Sequence, residues 1–279
     1  MADKIWLGGS TAGENSVNVA ANWSPSGVPS GSDNIYFTSR STASCLHDLA
    51  TLAAITGELH IESGYTRFIG SSTGPNYFEM KPSATFINSV QPCHLNVKAS
   101  TGVIHIENSG TGTFATAGVN LKGSAITRIN MIDGTVGVAL NPGETSTVAN
   151  VEMLSRGKLM LGAGVTWTNV NMNGGTVTAV TGSSTRCVVD LFGGTFSSAE
   201  DCALKELNTN DGTAFVSGTG NVASVTMRGG TVNTLFSGVP RTITNLKVYK
   251  GQFLYDPNVL TVTNFLHADT PVNLRVSLE

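Results

Sequence analysis

The 279-residue chain contains 32 glycines, and only 13% of its residues are charged, against roughly 25% in an ordinary soluble domain. Since 40% of the residues are apolar and the net charge is only -3, the composition excludes a disordered chain and favours a β-rich fold with an uncharged polar surface. The 16 Lys and Arg residues are dispersed, and no apolar run approaches the roughly 20 residues of a membrane span. We therefore expect no nucleic acid and no membrane among its partners, and folding in the cytoplasm.

Residues 1–43 share no repeating pattern with the rest of the chain. They place large apolar side chains among turn-forming Gly, Pro, Asn and Ser residues, which indicates a compact segment of its own. For residues 45–56 two alternatives stay open, a strand or a short amphipathic helix, because Leu46, Leu49 and Ala53 recur at helical spacing. The candidate packing residues of the first segment are Trp6, Trp23, Pro29 and Phe37.

Three short triplets follow in which a polar residue stands between two apolar ones. Such alternation is typical of a strand with one buried face, so the triplets predict three strands in one common register. Residues 103–106 and 119–121 also have the pattern of strands, although no common phase relates them to the triplets. The triplets are Leu59-His60-Ile61 before Gly64, Phe78-Glu79-Met80 before Ser83, and Leu95-Asn96-Val97 before Ser100.

From residue 129 onward one segment returns at nearly constant intervals. Its clearest copies are INMIDGTV, VNMNGGTV and VTMRGGTV, which begin at residues 129, 170 and 225. In each copy two apolar residues alternate with polar ones ahead of a glycine, where the chain must turn sharply. Successive anchor glycines lie 23, 18, 19, 18, 18 and 21 residues apart: Gly134, Gly157, Gly175, Gly194, Gly212, Gly230 and Gly251.

This period predicts the architecture. A repeat of 18 to 23 residues leaves room for about three short strands with tight turns, which is one coil of a parallel β-helix. The Leu and Asn pattern of leucine-rich repeats is absent, and propeller repeats are about twice as long. We predict an all-β, single-stranded parallel β-helix of about ten coils over residues 44–259, with residues 1–43 as an N-terminal cap or arm.

One outward position carries amide or carboxylate groups in four of the copies. Stacked amides can hydrogen-bond from coil to coil, so the column predicts a structural ladder, with a glycan- or ion-binding strip as the alternative. The column consists of Asn130, Asn171, Asp190 and Asn208.

Residues 260–279 contain two strand-like runs. They predict either strands that close the last coil or an arm that pairs with a neighbouring subunit, because both arrangements use the same backbone hydrogen bonds.

The N-terminal segment also carries a recognisable order of motifs: Asn22-Trp23-Ser24, then Gly27-Val28-Pro29, then Asp33-Asn34-Ile35-Tyr36-Phe37. This order resembles the start of right-handed parallel β-helix proteins, among them autotransporter passengers and phage virion proteins. Autotransporter passengers need a signal peptide and a membrane barrel, which we do not recognise in this sequence. The resemblance therefore favours the phage virion proteins, of the decoration, cement or tailspike-like kind.

That resemblance implies a non-enzymatic structural protein of a virion, made in the host cytoplasm, which stabilises the capsid as a decoration or cement protein. Its partners would be further copies of itself, as a homotrimer, and a major capsid protein or another virion protein. Two rivals stay open: a tailspike-like β-helix that binds or cleaves glycans, and an adhesin module.

The residues themselves offer little chemistry. No nucleophile elbow, phosphate-binding loop or zinc-protease motif is present, so we expect no enzyme activity, no cofactor and no metal. The runner-up is a glycan site at Asp190 and Asp211, near one turn in consecutive coils, since glycosidases hold two carboxylates roughly 5 to 9.5 Å apart. Without CxxC spacing, the cysteines are expected to be buried free thiols, with one bridge between coils left open: Cys45, Cys93, Cys187 and Cys202.

Overall fold

The computed structural model describes residues 1–71, 76–98, 102–110, 118–182, 187–202, 204–218, 220–235, 240–267 and 273–276. Two short 3-10 helices, Ala20–Asn22 and Leu49–Leu52, accompany the strands. In chain order the strands are β1 (Asp3–Trp6), β2 (Trp23–Ser24), β3 (Asn34–Phe37), β4 (Leu59–Ile61), β5 (Phe78–Met80), β6 (Ala84–Asn88), β7 (Cys93–Val97), β8 (Val103–Asn108), β9 (Val119–Met131), β10 (Thr135–Val138), β11 (Ser146–Met153), β12 (Lys158–Leu161), β13 (Val165–Met172), β14 (Thr176–Gly182), β15 (Val188–Leu191), β16 (Thr195–Cys202), β17 (Glu206–Thr209), β18 (Thr213–Val216), β19 (Val222–Met227), β20 (Thr231–Asn233), β21 (Arg241–Val248), β22 (Gln252–Tyr255), β23 (Leu260–His267) and β24 (Asn273–Val276).

The strands stack in parallel into two columns, sheet A and sheet B. Sheet A contains β1, β3, β4, β6, β8, the second half of β9, β11, β13, β15, β17, β19, β21 and β23. Sheet B contains β5, β7, the first half of β9, β10, β12, β14, β16, β18, β20, β22 and β24. From β10 onward the chain alternates between the sheets, so it winds as a parallel β-solenoid. The predicted all-β parallel β-helix is confirmed.

The longer strands of sheet A turn a corner partway along their length. In β13, Trp167 and Val170 are buried, whereas the two residues between them, Thr168 and Asn169, point outward. Two successive outward residues break the alternation of a straight strand, which places a bend at this position. Asn169 secures the bend, because its Nδ2 donates a hydrogen bond of 3.0 Å to Oδ1 of Asn150 one coil earlier.

Glycines allow successive turns to lie directly on one another. Gly212 has a φ of 82°, and a Cβ at this position would lie 2.6 Å from the carbonyl oxygen of Gly194. The same oxygen accepts a 2.9 Å hydrogen bond from the Thr213 amide, which ties the two turns together. Gly157 is the one anchor without a positive φ. The side chain of Met131 occupies the space that a Cβ at this position would need. The same stacking on the preceding anchor recurs at Gly175, Gly194, Gly230 and Gly251, while Gly134 stacks on Ser109.

The common register expected for the three early triplets is wrong. Leu59–Ile61 forms β4 of sheet A, but Phe78–Met80 and the Leu95 triplet lie in β5 and β7 of sheet B. The sheet A strands of these coils are β6 and β8. The mistake has a physical cause: inward-facing apolar residues alternate with outward-facing polar ones in both sheets, so a triplet alone does not identify its sheet.

The parallel stack reaches back into the segment that we predicted to be a cap. β1 pairs in parallel with β3, and β2 lies antiparallel along β1. The rings of Trp6 and Trp23 meet edge to face at 5.1 Å, and that of Phe37 lies 6.3 Å from Trp6. Both indole N–H groups donate to backbone carbonyls, Trp6 to Ala43 and Trp23 to Val17. Pro29 is also buried.

Residues 45–56 adopt neither of the two expected structures in full. Cys45 makes an isolated parallel bridge with Ile69, and Leu49–Leu52 is a single 3-10 turn that buries its two leucines.

At the C-terminal end of the chain, β23 pairs with β21 and β24 pairs with β22, which continues both sheets. All four cysteines are buried free thiols. Among the described residues, no helix has the length and apolar character needed to cross a bilayer.

Candidate functional site

The outer surface of sheet A carries one continuous column of side chains, which we call the outer column. In its first half four rings stack at nearly parallel angles: Tyr36 on His60 at 4.5 Å, His60 on Phe86 at 4.8 Å, and Phe86 on His105 at 5.0 Å. Each ring belongs to the outward residue between two inward ones, so the solenoid rise of about 4.8 Å sets the spacing. This stack was not predicted from the sequence, although apolar residues flank each ring.

The two inner rings of this stack present their edges, not their faces, to the solvent. The faces of His60 and Phe86 are covered on both sides by the neighbouring rings. His60 is further held by Glu58, whose Oε2 lies 2.9 Å from Nε2. Sugar rings bind aromatic side chains by lying on their faces, so these two rings offer no such platform.

The second half of the outer column is polar and largely satisfies itself. Asn171 donates a 2.9 Å hydrogen bond to Glu152, and Asn208 donates one of 2.9 Å to Asp190. Asn130 contacts the Nδ1 atom of His105 at 3.3 Å, which joins the polar half to the rings. The predicted amide column is therefore present, in successive coils, as a ladder. Glu152 also belongs to this column. It was not predicted as a member because its copy of the repeat, which begins at Val151, has one extra residue before the anchor glycine.

The two carboxylates of the runner-up glycan site lie on different kinds of element. Asp190 points outward from β15, where its partner in the next coil is Asn208. Asp211 follows the end of β17, and its Oδ1 accepts a 2.7 Å hydrogen bond from the Gly212 amide. Asp190 is an outward residue of its strand and therefore belongs to the ladder. Asp211 lies in the turn, where its carboxylate bonds to the backbone of the next residue. Both carboxylates thus have a local structural partner.

An open groove of about 410 Å³ lies beside the aromatic half of the outer column. His60, Phe86 and His105 form its wall, and two carboxylates, Glu62 and Glu107, reach it. Glu107 Oε2 accepts a 2.7 Å hydrogen bond from Asn88, another lining residue. The groove can therefore accept polar groups, although its walls expose mainly ring edges.

A second row of outward residues lies immediately after the sheet A strands. Four of its members are large, apolar and exposed: Ile132 at 44%, Leu154 at 47%, Phe192 at 54% and Tyr249 at 40%. Each amide donates to a carbonyl of the preceding coil, for example Phe192 to Met172 at 2.8 Å, so the members stack. We call these four residues the apolar row. In the sequence, each member of the row is an apolar residue two or three positions before an anchor glycine.

Six coil steps separate the first and last members of the apolar row, which corresponds to about 29 Å. Asn173, Asn210 and Arg228 occupy the intervening positions. Scattered single apolar residues are normal on a protein surface, but four large ones aligned on one face, with polar residues between them, resemble the mixed apolar and polar surface of a protein contact site. The row is therefore the surface feature with the clearest binding chemistry.

A separate polar cluster holds the loop after β10 against sheet B. The Tyr77 hydroxyl accepts a 3.1 Å hydrogen bond from Asn141, and Lys122 Nζ lies 4.1 Å from the centre of the Tyr77 ring. His94 packs edge to face on the same ring at 5.8 Å. Burial lowers the pKa of His94, and the charge of Glu144 opposes this shift. Burial also raises the pKa of Tyr77. Together these contacts hold the loop after β10 against sheet B.

In the part of the chain that the structure describes, no three His, Cys, Asp or Glu residues are grouped so that they could hold a metal ion. Comparison with protein-family models, with curated proteins and with solved structures finds no match to this chain. Its solenoid fold and the chemistry of its own surface are thus the basis for assigning a function.

Proposed function

We propose that this protein is a non-enzymatic structural component that binds another protein through the apolar row. The observation that carries the proposal is the alignment of Leu154 and Phe192, exposed by 47% and 54%, with Ile132 and Tyr249 along a stack of hydrogen-bonded coils. Such a strip favours burial against a partner, because each large apolar side chain transferred from water contributes about 1.5–3 kcal/mol. The rigid coils hold the four side chains in place before binding.

The setting that we propose is a virion, where the protein decorates or cements the capsid. This part of the proposal comes from the resemblance of residues 6–37 to β-helix proteins of phage particles, and it names a major capsid protein or another virion protein as the partner. A stiff solenoid suits the role, because a ladder of backbone hydrogen bonds connects every coil to the next. The resemblance also suggests that the protein associates with copies of itself, as a trimer.

Binding to assembled shells tests this proposal. The chain carrying Leu154→Ser and Phe192→Ser is mixed with shells assembled from phage major capsid proteins, and co-sedimentation is measured. We expect at least about a tenfold loss of affinity, from the apolar burial removed at two positions. The matched control carries Phe68→Ser and Val90→Ser, which are also exposed, at 49% and 56%, but lie outside the row.

We expect the control chain to bind as the unaltered protein does, and both variants to keep the circular dichroism of the original fold. Equal binding by the row variant would overturn the apolar row as the contact, and no binding of the unaltered chain to any shell would overturn the virion setting.

The second candidate function is glycan binding or cleavage, favoured by the groove beside His60, Phe86 and His105. Depolymerase activity that Glu62→Gln or Glu107→Gln abolishes would replace the structural proposal by this one, because these two carboxylates line the groove. Activity that Asp190→Ala or Asp211→Ala abolishes would also replace it, but would place the site away from the groove. An adhesin module stays the third candidate, and an export signal in the gene would support it.

A further inference from the structure

The two ends of the solenoid differ in how their backbone edges are treated. At the N-terminal end, β2 covers the outer edge of β1 through the pairs Ile5 with Ser24 and Trp6 with Trp23. At the C-terminal end, β23 pairs with β21 along seven residue positions. Within the described residues, no strand pairs with the other edge of β23. An unpaired strand edge is a template for another strand.

Strand β23 lacks the features that usually prevent edge-to-edge pairing. Leu260–His267 contains no Lys, Arg, Asp, Glu or Pro. A charged side chain or a proline on an edge strand would otherwise discourage a second strand from pairing. Two of its apolar residues are half exposed, Phe265 at 49% and Leu266 at 51%. The edge is therefore long, uncharged and partly apolar.

An apolar groove of about 290 Å³ lies at the same end. Its lining combines core residues with exposed ones: Leu246, Phe253, Tyr255, Leu260, Val262 and Phe265. Leu246 and Phe253 are buried members of the main core, so the groove connects the core of the last coils with the surface. Covering this end removes apolar surface from water in addition to pairing the strand edge.

We propose that the C-terminal end binds a second copy of this chain, with β23 of each copy paired antiparallel about a two-fold axis. A two-fold contact uses the same patch on both copies, and an uncharged edge meets its own copy without like-charge repulsion. Head-to-tail stacking is disfavoured because β2 already pairs with Ile5 and Trp6 at the N-terminal edge. The inferred assembly is a dimer, in contrast to the trimer that the resemblance suggests, and it does not depend on the apolar row.

Like charges placed on the edge test the proposal. Thr261→Lys with Thr263→Lys brings four cations together across the paired strands, which is destabilising. The matched control is Thr242→Lys with Thr244→Lys on β21, one coil inward, where Thr242 is the neighbour of Thr261. In the dimer these control charges are separated by two further strands, about 14 Å, which exceeds the screening length in physiological salt.

Mass is measured by light scattering after gel filtration, and hydrogen exchange reports on the β23 amides. We expect the unaltered chain and the control at twice 29.0 kDa, and the edge variant at 29.0 kDa with faster β23 exchange. A dimeric edge variant would place the contact elsewhere, and a trimer would exclude the two-fold arrangement. A monomeric unaltered chain overturns the proposal; slow β23 exchange in that monomer would mean that the chain covers its own edge.

Discussion

Among single residues, His94 shows how burial couples a side chain to pH. It is only 7% exposed and packs against Tyr77, with Lys122 and Glu144 as the nearby charged groups. Burial lowers its pKa in the folded chain below the ordinary value of 6.5. The unfolded chain therefore binds the proton more readily, and the stabilising contribution of neutral His94 is complete above pH 6.5. It is lost as the pH falls towards the folded-state pKa.

We predict that the free energy of unfolding decreases below pH 6.5 more steeply for the unaltered chain than for His94→Gln, as measured by urea titration at several pH values. The same substitution at the exposed His47 is the control for replacing a histidine by glutamine. Identical pH slopes for all three chains would contradict the assignment of this dependence to His94.

In the turns, a comparison of Gly212 with Gly143 separates two reasons for a glycine: a left-handed backbone conformation and the close approach of a neighbouring turn. Their φ values are nearly equal, 82° and 81°, but a Cβ at Gly212 meets the Gly194 carbonyl at 2.6 Å, whereas Gly143 has open space around it. Gly143→Ala should cost about 1–2 kcal/mol, for the left-handed backbone alone. Gly212→Ala should cost roughly 1–3 kcal/mol more, because the stacked turns must also separate. Urea unfolding measures both.

The difference between these two alanine variants is the quantity that matters for the solenoid. If both lose the same stability, the close stacking of successive turns does not contribute, and positive φ alone explains the glycine at position 212.

For the whole molecule, the covered N-terminal end is what we expect to keep the solenoid from stacking end to end. A chain that begins at Asn34 lacks β1 and β2 and exposes the edge of β3, together with the ring of Phe37. We predict that this shortened chain forms heterogeneous high-mass species in gel filtration with light scattering, because its edge is free to pair. The full chain is run alongside. A shortened chain with the mass and melting temperature of the full one would show that the cap is dispensable.

Much of the architecture was predictable from local patterns. The interval between Gly175 and Gly194, and that between Gly212 and Gly230, predicts that each coil lies on the one before, and the structure contains this stacking. The amide column was predictable for the same reason. Glu152 and the early triplets were not, because one inserted residue shifts the apparent phase and because both sheets use the same alternation.

The candidate site was harder to predict than the fold. Tyr36, His60, Phe86 and His105 lie far apart along the chain at irregular intervals, so only the coil-to-coil register brings their rings together. The apolar row had a local signal ahead of the anchor glycines, but its exposure depends on which surface the turn presents to the solvent. Asp190 and Asp211 looked like neighbours in sequence, yet strand and turn geometry give them different partners.

The sequence by itself determined that this chain is a parallel solenoid, because glycine spacing and two-residue alternation are properties of adjacent residues. The tertiary structure alone decided which side chains become neighbours across coils, which sheet each early strand joins, and which end of the stack has an unpaired edge among the described strands. Those features depend on register between distant segments, and backbone hydrogen bonding sets that register only when the coils close on one another.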